Sequence, residues 1–173
     1  MAKYQRSTRA CAVSQLKPPL LRALRAYFQS HNLGELETEC LQCCETVSEK
    51  KPSGNWLSAW LDNSAEETIY SAIVLTGRVL VWARSSGQGQ ASAVGTELVN
   101  INARVHIANF TNEVGLQVAG LIDGSRGNVR GVIALGQEQA ALDFCDAVYN
   151  EIEKVNPTPK RKWPAWMGGS RDK

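Results

Sequence analysis

The stretch ELVNINARVHI (97–107) decides the fold class, because its side chains alternate in character. Apolar residues occupy every second position from Val99 to Ile107, and polar or charged residues occupy the positions between them. A period of two places apolar side chains on one face of a β-strand and polar side chains on the other. This stretch therefore predicts a strand with one buried face and one solvent-facing face.

Two runs before it predict a β-hairpin. TIYSAIVLT (68–76) and RVLVWAR (78–84) are rich in β-branched and aromatic residues, which favour strands. They meet at Gly77, where a tight turn can use the positive φ that glycine accepts. The segment ECLQCCETVSEKK (39–51) has a period that also suits a helix face, but its Cys, Thr and Val residues favour a strand.

Two further runs follow the central stretch. EVGLQVAGLI (113–122) and NVRGVIALG (128–136) are apolar and flank the turn-forming sequence DGSRG. Together these segments give about six or seven strands in succession. The sequence therefore predicts a mainly β domain with helices, of the α+β class.

Two amphipathic helices are predicted, one on each side of the strands. In residues 14–35 apolar side chains recur every three or four positions, and Pro18 and Pro19 are tolerated only in a first turn. In residues 137–155 apolar side chains again form one stripe, and Pro157 follows its end. The predicted buried residues of the second helix are Ala141, Cys145, Val148, Ile152 and Val155, with Phe144 beside them.

Composition and charge are those of a globular domain with basic ends. The 173 residues are 43% hydrophobic and 21% charged, which allows a real core. Six cations and no acid precede residue 35, eight acids lie in 35–67, and the tail of residues 156–173 carries five cations and one acid. A net charge of only +2 argues against a protein devoted to nucleic acid.

The first residues of the sequence and the lack of a long apolar run indicate the cellular compartment. No apolar run approaches the roughly 20 residues that span a bilayer. Residues 1–13 lack the apolar centre of a secretory signal and are interpreted as a basic flexible arm, with an organellar transit peptide as the alternative. We therefore expect a cytoplasmic protein.

The five cysteines do not form the pattern of a secreted disulfide framework. Three lie together in CLQCC (40–44), which contains half of a zinc-binding motif, whereas Cys11 and Cys145 stand alone. His31 and His106 are not spaced as a ligand pair. We expect reduced cysteines, no metal and no cofactor.

The hairpin IYSAIVLTGRVLVWAR (69–84) and the ending VRGVIALGQEQAALDFCDAVYNEIEKV (129–155) resemble the bacterial pleckstrin-homology-like (PH-like) families. The resemblance covers roughly residues 36–155 and lies in patterns of hydrophobicity. It implies a PH-like split barrel of about seven antiparallel strands, capped by a C-terminal amphipathic helix, with the helix of residues 14–35 as an addition. CLQCCETVSEKK (40–51) followed by a Trp-rich segment also resembles a group of uncharacterised cyanobacterial proteins.

PH-like domains are mostly binding modules, and some recognise phosphoinositides through basic residues at the end of the first strand. The resemblance places Lys50 and Lys51 at that position, as possible anion contacts. However, residues 52–77 contain no Lys or Arg and three acids, so a phosphorylated headgroup would lack most of its cation partners.

No catalytic constellation can be written from the sequence. GQG (87–89) is too short for a dinucleotide-binding loop, and GSRGNVRG (124–131) lacks the spacing and lysine of a P-loop. Cys43 or Cys44 would need a nearby base to act as a nucleophile, and His106 alternates onto the solvent-facing side of its strand. We therefore expect no enzymatic activity and no catalytic residues.

Tryptophans outside the regular elements are the best candidates for a binding surface. Such aromatic residues either pack back onto their own domain or anchor a partner. One pair falls in an insertion before the hairpin, and the other falls in the basic, proline-containing tail. The predicted partner-binding residues are Trp56, Trp60, Lys160, Arg161, Lys162, Trp163 and Trp166.

Two functions fit these features. The first is a non-catalytic adaptor or assembly subunit that binds a protein partner. The alternative is a peripheral membrane module whose basic and Trp residues attach to anionic lipid. Three cations at about 1 kcal/mol each give only weak attachment, which favours the adaptor.

Overall fold

The structure is a computed structural model that describes residues 4–51, 68–85, 89–108, 113–121 and 128–157. These residues form two antiparallel sheets and three α-helices, with two short 3₁₀ turns. The predicted α+β class with a majority of β structure is confirmed.

The first sheet has five strands that follow one another in chain order, each antiparallel to the next. The second sheet has three strands arranged in the same way. The strands are β1 (Tyr4–Ala10), β2 (Gln42–Lys50), β3 (Thr68–Leu75), β4 (Val79–Ser85), β5 (Ala91–Glu97), β6 (Ile101–Ala108), β7 (Glu113–Leu121) and β8 (Asn128–Leu135).

Two of the helices are longer than one turn, and the amphipathic pattern predicted both of them. The first begins at two prolines, as expected for residues that lack a backbone N–H donor. The helices are α1 (Pro18–Ser30), α2 (Leu36–Glu39) and α3 (Gln139–Val155), and the 3₁₀ turns are Val13–Gln15 and Leu98–Asn100.

The five-stranded sheet is buried on both faces, which explains the continuous apolar run in β3. Ala72 and Val74 belong to the core under α1, whereas Ile73 and Leu75 belong to the core shared with the second sheet and α3. The two faces of one strand therefore contribute to two separate cores.

Helix α3 packs against β1, β2 and β6, and so touches strands of both sheets. The predicted residues from Ala141 to Ile152 are buried, including Phe144, but Val155 is exposed. The prediction for Val155 was wrong because the stripe leaves the core at the last turn. In the part of the chain described here, no helix is both long and apolar enough to cross a lipid bilayer.

Residues 4–10 correct the prediction of a flexible arm over residues 1–13. They form β1, which pairs with β2 along its whole length, from Tyr4 opposite Lys50 to Ala10 opposite Cys44. Only one side chain of this strand is buried, so its sequence lacks an apolar period. The folded unit consequently extends well before residue 36, the start predicted for the domain.

Buried polar contacts hold β1 against the rest of the molecule. Thr8 Oγ1 lies 2.8 Å from Thr46 Oγ1 and accepts a hydrogen bond of 2.7 Å from the Gly136 backbone N–H. The Thr8 backbone N–H donates to Glu138 Oε2 at 3.0 Å. A side chain at Gly136 would displace the Glu138 carboxylate, which accepts the hydrogen bond from the Thr8 backbone N–H.

Two local predictions were also wrong. In the segment 97–107, Glu97 ends β5, a 3₁₀ turn follows, and the next strand begins only at Ile101, which leaves Val99 with 55% of its surface exposed. The β3–β4 hairpin is confirmed, but Gly77 does not use a positive φ. Instead, Thr76 Oγ1 accepts hydrogen bonds from the backbone N–H groups of Arg78 and Val79, so that a side chain closes the turn.

Candidate functional site

A cleft of about 860 Å³ opens where β1 ends and β2 begins. Its walls are the end of β1 with the following 3₁₀ turn, the segment from α2 into β2, and the first turn of α3. This volume lies within the range of roughly 300–1,000 Å³ that is typical of ligand sites. Its lining includes Cys11, Glu37, Cys40, Leu41, Cys43 and Asp143.

The pairing of β1 with β2 brings two cysteines together in this cleft. Ala10 lies opposite Cys44, and one position further the Cys11 backbone N–H donates to the Cys43 carbonyl at 3.1 Å. The two side chains meet there, with 4.0 Å between Cys11 Sγ and Cys43 Sγ.

Cys11 differs from its neighbours in acidity. The hydrogen bond from Cys43 holds the pKa of Cys11 below its ordinary value, and the positive charge of Arg9 acts in the same direction. The same hydrogen bond raises the pKa of Cys43, since the donor must keep its proton. Burial raises the pKa of Cys40 to about 11 and that of Cys44 to about 12. Among these four thiols, Cys11 most readily becomes the thiolate.

An ion pair braces the strands that carry the cysteines. Glu45 Oε2 accepts hydrogen bonds from Arg9 Nε at 3.1 Å and from Arg9 Nη2 at 2.6 Å. Glu45 Oε1 accepts a bond of 3.0 Å from the Lys17 backbone N–H, just before α1. The Glu45 side chain is only 3% exposed, whereas that of Arg9 is 53% exposed. One buried carboxylate thus ties β1, β2 and the start of α1 together.

The lining of the cleft combines an exposed apolar residue with carboxylates. Leu41 has 56% of its surface exposed. Glu37 is paired with Arg25, whose hydrogen bond holds the pKa of Glu37 below its usual range. Asp143 accepts a hydrogen bond of 2.8 Å from the neutral amide of Gln139. The cleft can therefore present an apolar contact beside negative charge.

The residues predicted as a binding surface from the sequence are not in this cleft. Lys50 ends β2 about 23 Å along the strand from Cys43, and Lys51 follows it. The structure therefore does not bring these lysines to the cleft. The other predicted partner-binding residues lie outside the described residues: Trp56, Trp60, Lys160, Arg161, Lys162, Trp163 and Trp166.

Sequence reasoning missed the role of Cys11, which it treated as standing alone. The pairing of β1 with β2 places it beside Cys43, 32 positions away in the chain. The sequence feature that could have indicated β1 is the β-propensity of Tyr4 and Thr8. This propensity predicts a strand, but it does not predict the strand's partner or its register.

No protein-family model matches the chain, and neither a curated protein sequence nor a solved structure matches it. Within the described ranges, no three His, Cys, Asp or Glu side chains are grouped so as to hold a metal ion. The residues of the cleft are therefore the basis for assigning a function.

Proposed function

We propose that this protein is a non-catalytic protein-binding module, an adaptor or assembly subunit, built on a PH-like scaffold. Support for the scaffold comes from the order of its elements. The four-stranded meander β2–β5 is followed by the three-stranded meander β6–β8 and then by α3, which packs against both sheets. Strand β1 and helix α1 are additions that extend the first sheet at its edge and cover one of its faces.

The observation that carries the binding role is the open cleft with Leu41 exposed beside it. The Leu41 backbone N–H donates to the Leu75 carbonyl at 2.9 Å, so the backbone of this residue is fixed while its side chain stays largely accessible. Ligand sites are concave and are lined mainly by apolar side chains with a few polar groups among them. A fixed backbone also lowers the entropy lost when a partner docks.

The cleft indicates the chemistry of the partner segment. An apolar side chain of the partner would contact Leu41, and a neighbouring Lys or Arg would face Asp143, whose present partner is a neutral amide. Charge complementarity of this kind contributes mainly to specificity and to the rate of association. We therefore propose a short protein segment that carries an apolar residue next to a cation.

Selection from a displayed peptide library on the full chain tests this proposal. We expect the enriched peptides to combine an apolar residue with Lys or Arg. Their affinity for the Leu41→Lys variant should be at least about tenfold lower than for the wild-type protein, which corresponds to about 1.4 kcal/mol. The matched control is Val99→Lys, because Val99 is equally exposed but does not line the cleft. Equal loss in both variants, or peptides without this pattern, would refute the binding role of the cleft.

The membrane alternative depends on residues 160–166, which lie outside the described residues, and it stays a prediction. Sedimentation with anionic liposomes, with and without residues 157–173, separates the two functions. Salt-sensitive attachment that needs the tail, together with no selected peptide, would favour the membrane module.

A further inference from the structure

The geometry of Cys11 and Cys43 suits a covalent bond between them. Directly opposed residues in an antiparallel pair have Cα atoms about 4.5–5.5 Å apart, inside the range of about 4.4–6.8 Å that a disulfide spans. Their sulfur atoms, now 4.0 Å apart, would approach to about 2.05 Å by rotation of the side chains. Cys11 and Cys43 continue the register of β1 with β2 one position beyond the pair Ala10–Cys44.

The other cysteines are less suited to be the partner of Cys11. Cys44 points to the opposite face of the sheet, where its thiol lies 3.8 Å from the Ala140 carbonyl oxygen. Cys145 is buried in the core shared with α3. Cys40 lines the same cleft and is the one competitor among the described residues.

We propose that Cys11 and Cys43 are a reversible dithiol–disulfide pair whose oxidant is a low-molecular-weight disulfide that enters through the cleft. The Cys11 thiolate attacks one sulfur of the small disulfide, which forms a mixed disulfide and releases the first small thiolate. Cys43 then gives its proton to solvent, and its sulfur attacks Cys11 Sγ and releases the second small thiolate. The two protein thiols lose two electrons and two protons, and the small disulfide is reduced to two thiols.

The order of the two steps follows from the surroundings of each sulfur. Both residues line the cleft, but Cys11 is half-buried whereas Cys43 is buried, so an incoming disulfide reaches Cys11 more readily. The thiolate is the attacking species in such exchange. The charge of Arg9 favours the Cys11 thiolate, and that of Glu45 opposes it. The remaining ionisable groups around the cleft are Glu37, Cys40, Cys44 and Asp143.

Intact-mass measurement tests the pair in the full chain. The reduced protein is incubated with cystamine, a small disulfide whose positive charges suit the carboxylates of the cleft, then quenched in acid and alkylated. We expect the wild-type protein to lose two free thiols and to retain no cysteamine. Cys43→Ser should retain one cysteamine on Cys11, and Cys11→Ser should show neither product. The control Cys145→Ser, at a cysteine that does not line the cleft, should behave as wild type.

A kinetic measurement checks the role of the hydrogen bond between the two thiols. Cys43→Ala removes the donor that stabilises the Cys11 thiolate, so alkylation of Cys11 by iodoacetamide at neutral pH should slow by at least about threefold. Circular dichroism melting confirms that each variant folds. A wild-type protein that keeps all its thiols, a disulfide abolished by Cys40→Ser, or an unchanged alkylation rate in Cys43→Ala would overturn the proposal.

Discussion

Strand β1 and helix α3 meet at the same junction, but different forces hold them there. The helix buries a stripe of large apolar side chains that includes Phe144 and Val148. The strand buries only Thr8 and is held by its backbone pairing with β2 and by polar contacts. Burial of apolar side chains leaves a period in the sequence, whereas backbone pairing leaves none. An element held by its backbone is therefore difficult to foresee from sequence.

The largest expected loss of stability comes from removing a buried apolar side chain of α3. Phe144→Ala should lower the free energy of unfolding by about 3–5 kcal/mol, because Phe144 is fully buried and its loss leaves a cavity. Urea denaturation followed by circular dichroism measures the change. Val155→Ala on the same helix should change it by less than about 0.5 kcal/mol, since Val155 is exposed. Equal effects would mean that the buried face of α3 is assigned wrongly.

Removing the ion pair between Arg9 and Glu45 should give the next largest loss of stability. Arg9→Ala should cost about 2–3 kcal/mol, because it leaves the Glu45 carboxylate buried with the Lys17 N–H as its remaining donor among the contacts described. Arg25→Ala breaks an ion pair between two exposed side chains and should cost less than about 1 kcal/mol. Thermal melting of both variants gives the comparison, and an Arg9 variant as stable as the Arg25 variant would contradict it.

The hydroxyl contacts of β1 should give the smallest of the three effects. Thr8→Ala removes the acceptor of the Gly136 N–H and the partner of the Thr46 hydroxyl, which should cost about 1–2 kcal/mol. Thr8→Ser keeps the hydroxyl and should recover most of that loss. If both variants are equally unstable in urea, the methyl group of Thr8 rather than its hydroxyl holds the strand.

Most of the fold could be predicted from periodicity alone. The apolar runs of β3 and β4 and the stripe of α3 are long enough to identify both the type of element and its buried side. The failures were local or lacked an apolar pattern. Val99 fits the alternation of a strand, but a 3₁₀ turn places it in solvent, and β1 has one buried side chain in seven residues.

Little of the candidate site could be predicted, for a different reason. The cleft is built from segments that are far apart in the chain, from Cys11 through Leu41 to Asp143. Sequence patterns identify elements but not the register in which distant elements pair. The CLQCC segment contains half of a zinc motif, whereas the sulfur that contacts Cys43 Sγ in the structure belongs to Cys11.

The hydrogen bond between Gly136 and Thr8 also constrains how the protein can be made. The two residues are separated by 128 positions, so a nascent chain growing at about 5–20 residues per second waits roughly 6–26 s between synthesis of the acceptor and synthesis of its donor. During that interval β1 can pair with β2 but cannot be fixed to the start of α3. Strand β1 is thus secured to the start of α3 only after the 128 positions that separate Thr8 from Gly136 have been synthesised.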